Sequence, residues 1–460
     1  MNRQTFFFCG IGGSGMSAIA QVLLHQGHVV RGSDRSYDQG QNADLYARLQ
    51  ALGVVLFPQD GSGVDADVDV LVVSSAVEPT ILDVQAGLDR GIAIRKRAEV
   101  LAELFHRGTG IAVGGTSGKS TVTGMIGHIL SRAGRDPTVI NGGMMRDVVQ
   151  PPRLGNALCG DAELVVIEAD ESDGTIALYE PSVSVLTNIS LDHKPMAELE
   201  SLFGAFCARA RDAVVVNRLC ERSMVLTQGV KRRVTFGVDC EGADVYATDV
   251  ALLPDGVRCV VNGHSCWLRV PGQHNVANAV AAIAACGVLG ISVRDGAEAL
   301  GDFRGIGRRL EVVGKARGVT VIDDFAHNPD KIAASLATLK AQPGRVLSVF
   351  QPHGFGPTRF LMDGLISAFV NGMDVDDLVI MSEIFYAGGT AQKDISSGDL
   401  IAQIARAGRR AEYIERREDI VVRLAEEVRE GDRVVVMGAR DDSLTVFARD
   451  ILSQIESSVR

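Results

Sequence analysis

The chain has 460 residues, too many for one hydrophobic core, and that length favours about three domains. With 46% hydrophobic and 22% charged residues and 51 glycines, it suits a soluble α/β protein with many tight turns and excludes a disordered chain. The formal net charge of −11, with only short basic clusters such as Arg95-Lys96-Arg97 and Lys231-Arg232-Arg233, excludes a nucleic-acid-coating surface, so anionic ligands must be held locally.

The N-terminus passes from Met1-Asn2-Arg3-Gln4-Thr5 directly into the strand-like Phe6-Phe7-Phe8-Cys9, without the apolar region and cleavage site of a signal peptide. Gly10-Ile11-Gly12-Gly13-Ser14-Gly15-Met16-Ser17 follows as a glycine turn opening a helix, with Gly10, Gly12 and Gly15 filling G-x-G-x-x-G. A pyrophosphate can sit on such a helix N-terminus, and Asp34, at the end of the strand Val29 to Ser33, lies where a dinucleotide fold places its ribose-binding acid. The same glycines also make a tight turn without any ligand, and at this point both readings stand. Alternation continues through Val68 to Ser75, the short Ile92-Ala93-Ile94 and a helix around Ala98 to Phe105, giving a small α/β domain over residues 1–108.

A second unit, 109–310, opens with the apolar Ile111-Ala112-Val113, then Gly114-Gly115-Thr116-Ser117-Gly118-Lys119-Ser120 and a helical pattern from Thr121 to Arg132. Small residues let backbone N–H groups turn onto a polyphosphate, Lys119 adds a point charge at the β/γ oxygens, and the Ser120 hydroxyl can hold Mg²⁺. The strict form of this loop has glycine where the chain has Val113, and a glycine-rich turn without ligand is the bland alternative. The buried strand Leu164 to Ile167 ends in Glu168-Ala169-Asp170-Glu171-Ser172-Asp173, and Val183 to Ile189 leads to Leu191-Asp192-His193. Carboxylates and a histidine thus reach one sheet edge, a natural Mg²⁺ site beside a phosphate loop. Lys231 to Val270 reads as a β-rich insertion of hairpins. Pro271-Gly272-Gln273-His274-Asn275-Val276-Ala277-Asn278 opens an Ala-rich helix extending to Ile291, short of the ~20 residues a membrane span needs. Its amides can bond a base edge, or Asn275 can cap the helix.

The third unit, 311–460, alternates strands at Val319 to Ile322, Val346 to Phe350, Leu378 to Met381 and Val434 to Met437 with helices, a further doubly wound α/β domain. Eight cysteines are scattered with no C-x-x-C pair, so reduced cytoplasmic thiols are expected rather than a zinc site or a disulfide framework.

Taken together and in order, these motifs resemble the Mur ligase superfamily, the ATP-dependent amide-forming enzymes of peptidoglycan assembly. Within it the chain is most similar to the branch that joins L-alanine to UDP-N-acetylmuramate. Gly10 to Ser17, Gly32-Ser33-Asp34, Ser74-Ser75-Ala76-Val77 and Arg97-Ala98-Glu99-Val100-Leu101 match that branch's UDP-sugar domain. This implies that Gly12, Gly13, Ser14, Gly15, Met16, Asp34, Ser74, Ser75 and Ala76 bind the acid substrate. Gly115-Thr116-Ser117-Gly118-Lys119-Ser120-Thr121 matches the superfamily's shortened phosphate loop, which accounts for Val113, and Glu168 to Asp173 with Asn188 and Asp192-His193 matches its central metal site.

The resemblance implies an α/β protein of three domains: N-terminal Rossmann-like, central P-loop mononucleotide-binding, and C-terminal Rossmann-like. It implies ATP and Mg²⁺ as cofactors, with Lys119 on the γ-phosphate, Ser120 and Glu168 on one Mg²⁺ and His193 on a second. His274, Asn275 and Asn278 would meet the base, Arg309 the phosphates, and Asp324 would complete the nucleotide site. His327 and His353, with Arg359, would meet the amine substrate. A substrate carboxylate would attack the γ-phosphate to give an acyl phosphate and ADP, and an amine, deprotonated by His327, would then form the amide.

Three departures fall on the acceptor side. After Phe350-Gln351-Pro352-His353 the branch has Arg-Tyr-Thr-Arg, whereas this chain has Gly354-Phe355-Gly356-Pro357; Phe325-Ala326-His327-Asn328 replaces Tyr-Gly-His-His; and Arg440-Asp441 replaces Gly-Asp. No lysine follows Lys194 until Lys231, so no carbamylated lysine bridging the metals is expected. The departures motivate a second reading, a paralogue joining a different acid and amine outside the main pathway. A nicotinamide-dependent oxidoreductase built on Gly10 to Gly15 is a third, and a motor or switch ATPase is disfavoured because no coupling domain can be identified. The expected partners are small molecules, with no nucleic acid and no membrane, and the chain is expected to be a cytoplasmic monomer or homodimer.

Overall fold

The strand Thr5–Cys9 is apolar at nearly every position because it lies in the middle of a parallel sheet, covered on both faces. The computed structural model describes residues 3–74, 77–171, 174–192, 194–253, 255–386, 392–441 and 443–458. In the first, five-stranded sheet the order is Val55–Phe57, Val29–Ser33, Thr5–Cys9, Val70–Val73, Ala93–Lys96, with every pair parallel. Cys9 is in register with Ser33 on one side and Val73 on the other, so Gly10, Asp34 and Ser74 emerge together at one edge.

The ten-stranded sheet has Thr109–Gly114 between Val183–Leu186 and Asp161–Glu168, pairing Gly114 with Leu186 and Val113 with Glu168. The two strands that carry the acids are therefore not neighbours: the phosphate-loop strand separates them. Beyond Ala213–Asn217, the strand Arg233–Val238 continues the sheet in parallel and pairs in parallel with Val245–Leu253, so the insertion extends the main sheet and is only partly hairpin. A tight turn at Asn262 and Gly263, with φ of 44° and 84°, then joins Gly256–Val261 to His264–Leu268. The Ala-rich segment is a buried helix, Gln273–Val288.

In the six-stranded sheet the order is Glu311–Ala316, Val319–Asp324, Arg433–Gly438, Val346–Gln351, Leu378–Met381, Arg410–Tyr413; the first pair is antiparallel and the others parallel. Separate apolar clusters cover its two faces. The outer strands Glu311–Ala316 and Arg410–Tyr413 carry charges and are mostly exposed or half-buried, the composition of edge strands.

By internal packing the chain forms two compact units. One comprises Met1–Val250, Arg258–Arg269 and Asn275–Ile306; the other Ala251–Val257, Val270–His274 and Gly307–Arg460. Among the described residues no helix is long and apolar enough to cross a membrane.

Candidate active site

In the first unit the loop between strand Thr109–Gly114 and helix Lys119–Arg132 is fixed by glycine backbone conformations. Gly115 has φ +125° and Gly118 φ +88°, and a Cβ on them would lie 2.1 Å from Thr187 Oγ1 and 2.4 Å from Asn278 Oδ1. Asn188, which the resemblance groups with the metal site, instead pins the loop. It accepts from Ser117 N at 3.0 Å through Oδ1, donates to Ser117 O at 3.0 Å through Nδ2, and its carbonyl accepts from Thr116 N at 3.1 Å. Thr187 Oγ1 adds a 2.7 Å bond to Ser117 O. Ser117 Oγ is buried with no partner among the described residues, a spare donor in a cradle that excludes side chains. Ser120 and Thr121 are buried in the first helical turn.

Lys119 Nζ donates to Gly115 O at 2.8 Å and to Glu171 Oε2 at 2.7 Å. Burial works against its charge, but Glu171, Asp170 and Glu168 outweigh that and raise its pKa, so the ammonium persists at neutral pH. Nothing in the sequence alone pairs Glu171 with a lysine 52 positions earlier; its place in the acidic run after Glu168 is the only hint.

Glu168 closes the neighbouring strand and accepts from Gly142 N at 2.9 Å, while Asn141 Nδ2 donates to Ser120 O at 2.9 Å. A Cβ on Gly142 would come 2.6 Å from Glu168 Oε2, so the Asn141-Gly142-Gly143 turn must be bare to approach the carboxylate. Ser120 and Glu168 offer hydroxyl and carboxylate oxygens, hard donors that fit Mg²⁺ with phosphate oxygens as further ligands. His193 lies outside the described residues. Among those described, no three His, Cys, Asp or Glu side chains converge as a metal cluster.

The glycine turn of the first sheet abuts this region. Gly10, at φ +84°, and Ile11 donate to Ser33 O at 2.9 and 3.0 Å, while Gly12 N donates to Asp34 Oδ2 at 2.8 Å. Helix Ser14–His25 begins without a side-chain cap, leaving its first-turn N–H groups for an anion. A Cβ on Gly15 would meet Arg97 Nη1 at 3.0 Å, so that glycine lets the guanidinium cross the helix start. Met16 is buried below it. Ser14 Oγ donates to Gly142 O at 3.1 Å, and Asn156 donates to Ser14 O at 2.6 Å. Gly142 thus touches both the first sheet's glycine turn and Glu168. Ser74 follows strand Val70–Val73, as expected, whereas Ser75 and Ala76 lie outside the described residues.

Helix Gln273–Val288 is divided between the units after His274. In the first unit Asn278 lies against Gly118 and donates to Asn275 Oδ1 at 3.0 Å. In the second unit His274 is exposed at the helix start.

The second unit gathers its predicted residues at the ends of strands Val319–Asp324 and Val346–Gln351. Asp324 is buried, accepts from Leu310 N at 3.2 Å and takes the Ser335 hydroxyl; burial raises its pKa against the opposing pull of Ser335 and Arg309. The Arg309 guanidinium lies 4.7 Å from the Phe325 ring centre. The His327 ring is 5.4 Å from Phe325 and 5.4 Å from His353. Its Nδ1 is 2.9 Å from Phe325 O; a carbonyl only accepts, so Nδ1 carries the hydrogen and Nε2 keeps its lone pair. Burial, then Lys331, holds the His327 pKa well below its ordinary value, leaving the imidazole neutral and able to take a proton. Arg359 is not part of this group: it pairs with Asp394 and donates to Gln392 O at 3.2 Å, tying its helix to the 392–394 segment.

Residues 5–109 match the model of the Mur ligase family, catalytic domain, residues 113–286 the Mur ligase middle domain, and residues 308–440 the Mur ligase, glutamate ligase domain. The chain is 35% identical over 457 residues to the UDP-N-acetylmuramate--L-alanine ligase of Pelotomaculum thermopropionicum, covering 95% of each. It is 37% identical over 453 residues to that of a Jannaschia species, covering 94% of this chain and 92% of the relative. The crystal structure of UDP-N-acetylmuramate-alanine ligase from Thermotoga maritima superposes with a TM-score of 0.80 at 27% identity, covering 99% of this chain and all of that one. A murein peptide ligase from Psychrobacter arcticus, at 23% identity and a TM-score of 0.69, shares the fold. With three family domains matched in order along its length, the chain belongs to the Mur ligase family.

Proposed function

We propose that the chain is an ATP-dependent, ADP-forming ligase joining the carboxylate of UDP-N-acetylmuramate to the amino group of an amino acid, with L-alanine as the first candidate. The observation that carries this reading is the phosphate loop, held open by Gly115 and Gly118 with Lys119 inside and Glu168 at the adjoining strand end. Lys119 would neutralise charge on the γ-phosphate as a substrate carboxylate attacks it. Ser120 and Glu168 would hold one Mg²⁺ and His193 a second, and bound ions would supply positive charge opposite the phosphate oxygens. The first sheet's glycine turn, with Gly12 to Met16, Asp34 and Ser74 to Ala76, would take the UDP-sugar; its link through Gly142 to Glu168 supports bringing that substrate's acid to the loop. Asn275, Asn278 and His274 would meet the base, and Arg309 and Asp324 the nucleotide. His327, neutral with Nδ1 carrying its hydrogen, would take the proton of the amine at Nε2, beside His353.

We further take 1–108, 109–310 and 311–460 as three domains, because the strands of the three sheets fall within those limits. The ligase works on small molecules in the cytoplasm, as monomer or homodimer. Incubation with ATP, Mg²⁺, UDP-N-acetylmuramate and mixed amino acids, followed by mass spectrometry of products, tests the reading. ADP should form only when acid and amine are both present, and Lys119→Ala should abolish it while leaving the circular dichroism spectrum unchanged. Persistent ADP formation in that variant would remove the loop from the mechanism. Turnover with an amine other than L-alanine alone would favour the paralogue.

A further inference from the structure

One cation at the edge of the six-stranded sheet is unexplained by the site as described. Strand Arg433–Gly438 lies between Val319–Asp324 and Val346–Gln351, with Met437 opposite Asp324 and Gly438 opposite Gln351. Two residues beyond that second register pair stand Arg440 and His353, so Arg440 follows the strand that lies between the two strands leading to His327 and His353.

Arg440 has φ +68°, a left-handed conformation that costs an L side chain and that glycine adopts freely. It is exposed and has no hydrogen bond or ion pair among the described residues. The neighbouring cations are committed. Arg308 pairs with Asp323 at 3.3 Å and donates to Gly438 O at 3.0 Å. Arg417 is taken by Asp441 and Gln351, Arg359 by Asp394, and the Lys393 ammonium sits 4.4 Å from the Tyr386 ring centre. A strained backbone that holds, at a strand end, a guanidinium with no partner among the described residues is a feature the fold does not require and a ligand would explain.

We propose that Arg440 binds the α-carboxylate of the amino-acid substrate. The inference rests on the ligase reading and extends it. A guanidinium presents a planar fork that grips a carboxylate in two bonds, so it fixes the direction of the attached amine as well as its presence. Arg440 then selects α-amino acids over amines that lack a carboxylate.

The test compares L-alanine with L-alaninamide, which keeps the amine but loses the negative charge, as acceptors in the ADP-release assay with ATP, Mg²⁺ and UDP-N-acetylmuramate. Arg440→Gly should raise KM for L-alanine by roughly 30-fold or more, the scale of one lost charge-assisted pair, and leave KM for L-alaninamide unchanged. Because glycine suits the backbone, its melting temperature should equal or exceed that of the unmodified enzyme, and Arg440→Lys should recover part of the loss. Unchanged KM for L-alanine, an equal rise for both acceptors, or a lower melting temperature in the glycine variant would each overturn the assignment while leaving the ligase reading intact. Absence of amine-dependent ADP release in the unmodified enzyme would instead sink the ligase reading, and this inference with it.

Discussion

Lys119 has an internal competitor for its charge. Glu171 holds the ammonium at 2.7 Å from a nearly solvent-free position, and a γ-phosphate would draw on the same three hydrogens. Replacing Glu171 by Gln weakens the internal partner without emptying the site. The variant should be about 2 kcal/mol less stable to urea without nucleotide, the scale of a hydrogen bond to a charged group, and should bind ATP more tightly by calorimetric titration. Equal ATP affinity in both proteins would mean that Glu171 does not compete. The candidate site residues legible in the sequence are those whose proposed chemistry is carried by residue type in a local pattern: Gly115, Gly118, Lys119, Ser120 and Glu168. Glu171 as a lysine partner and Asn188 as the loop's clamp were not legible, because both depend on which strand end returns beside which, a long-range fact. The Arg359–Asp394 pair was not legible for the same reason, since Asp394 lies 35 residues further along the chain.

At the scale of one element, the departure at Gly354-Phe355-Gly356-Pro357 acquires a structural account. Gly354 is the N-cap of helix Phe355–Gly372, with φ +70°, and its N–H donates to Phe385 O at 2.9 Å. Pro357 lies in the first helical turn, where a missing N–H costs nothing, and a Cβ on Gly354 would approach its Cδ to 3.2 Å. The segment is a helix start, whose left-handed N-cap suits Gly354 and whose first turn suits Pro357. Two glycines two residues apart along this turn should therefore respond oppositely to alanine. Gly354→Ala should cost about 1 kcal/mol through the left-handed backbone, and Gly356→Ala, with open space around its Cβ and a helical backbone, should add about 0.5–1 kcal/mol in urea denaturation. Shifts of the same sign would contradict the assigned helix start. Long apolar strands and the Ala-rich helix were readable because burial on both faces writes continuous apolar runs. The edge strands Glu311–Ala316 and Arg410–Tyr413 were not, since a strand with one solvated side and charged residues resembles a loop in sequence.

Over the whole molecule, three doubly wound sheets could be read from the alternation of strands and helices, but not the assignment of Ala251–Val257 and Val270–His274 to the second unit, which depends on packing alone. Its acid response follows from two carboxyl groups, one in each unit, whose pKa values are shifted in opposite directions. In the first, Asp83 is fully buried, takes the Ser33 hydroxyl and accepts from Gly61 N at 2.8 Å; burial nevertheless raises its pKa. A raised folded pKa means stability that is fully present below the unfolded value and is lost as pH rises through the folded one. In the second, Glu427 meets Arg345 at 2.9 Å, Arg410 at 3.0 Å and Arg423 at 3.0 Å. Burial alone would raise its pKa, but the three guanidiniums lower it from 4.5 to about 2. That contribution is complete above pH 4.5 and is lost as pH falls towards 2. Lowering pH through the raised Asp83 pKa should therefore strengthen the first unit, and lowering it below 4.5 should weaken the second through Glu427. In scanning calorimetry of the full chain, Asp83→Asn should remove the gain that follows Asp83 protonation, and Glu427→Gln should lower stability at pH 7 by about 2 kcal/mol with the deficit vanishing near pH 2. A Glu427→Gln deficit that stays constant down to pH 2 would show that the three arginines do not depend on its charge.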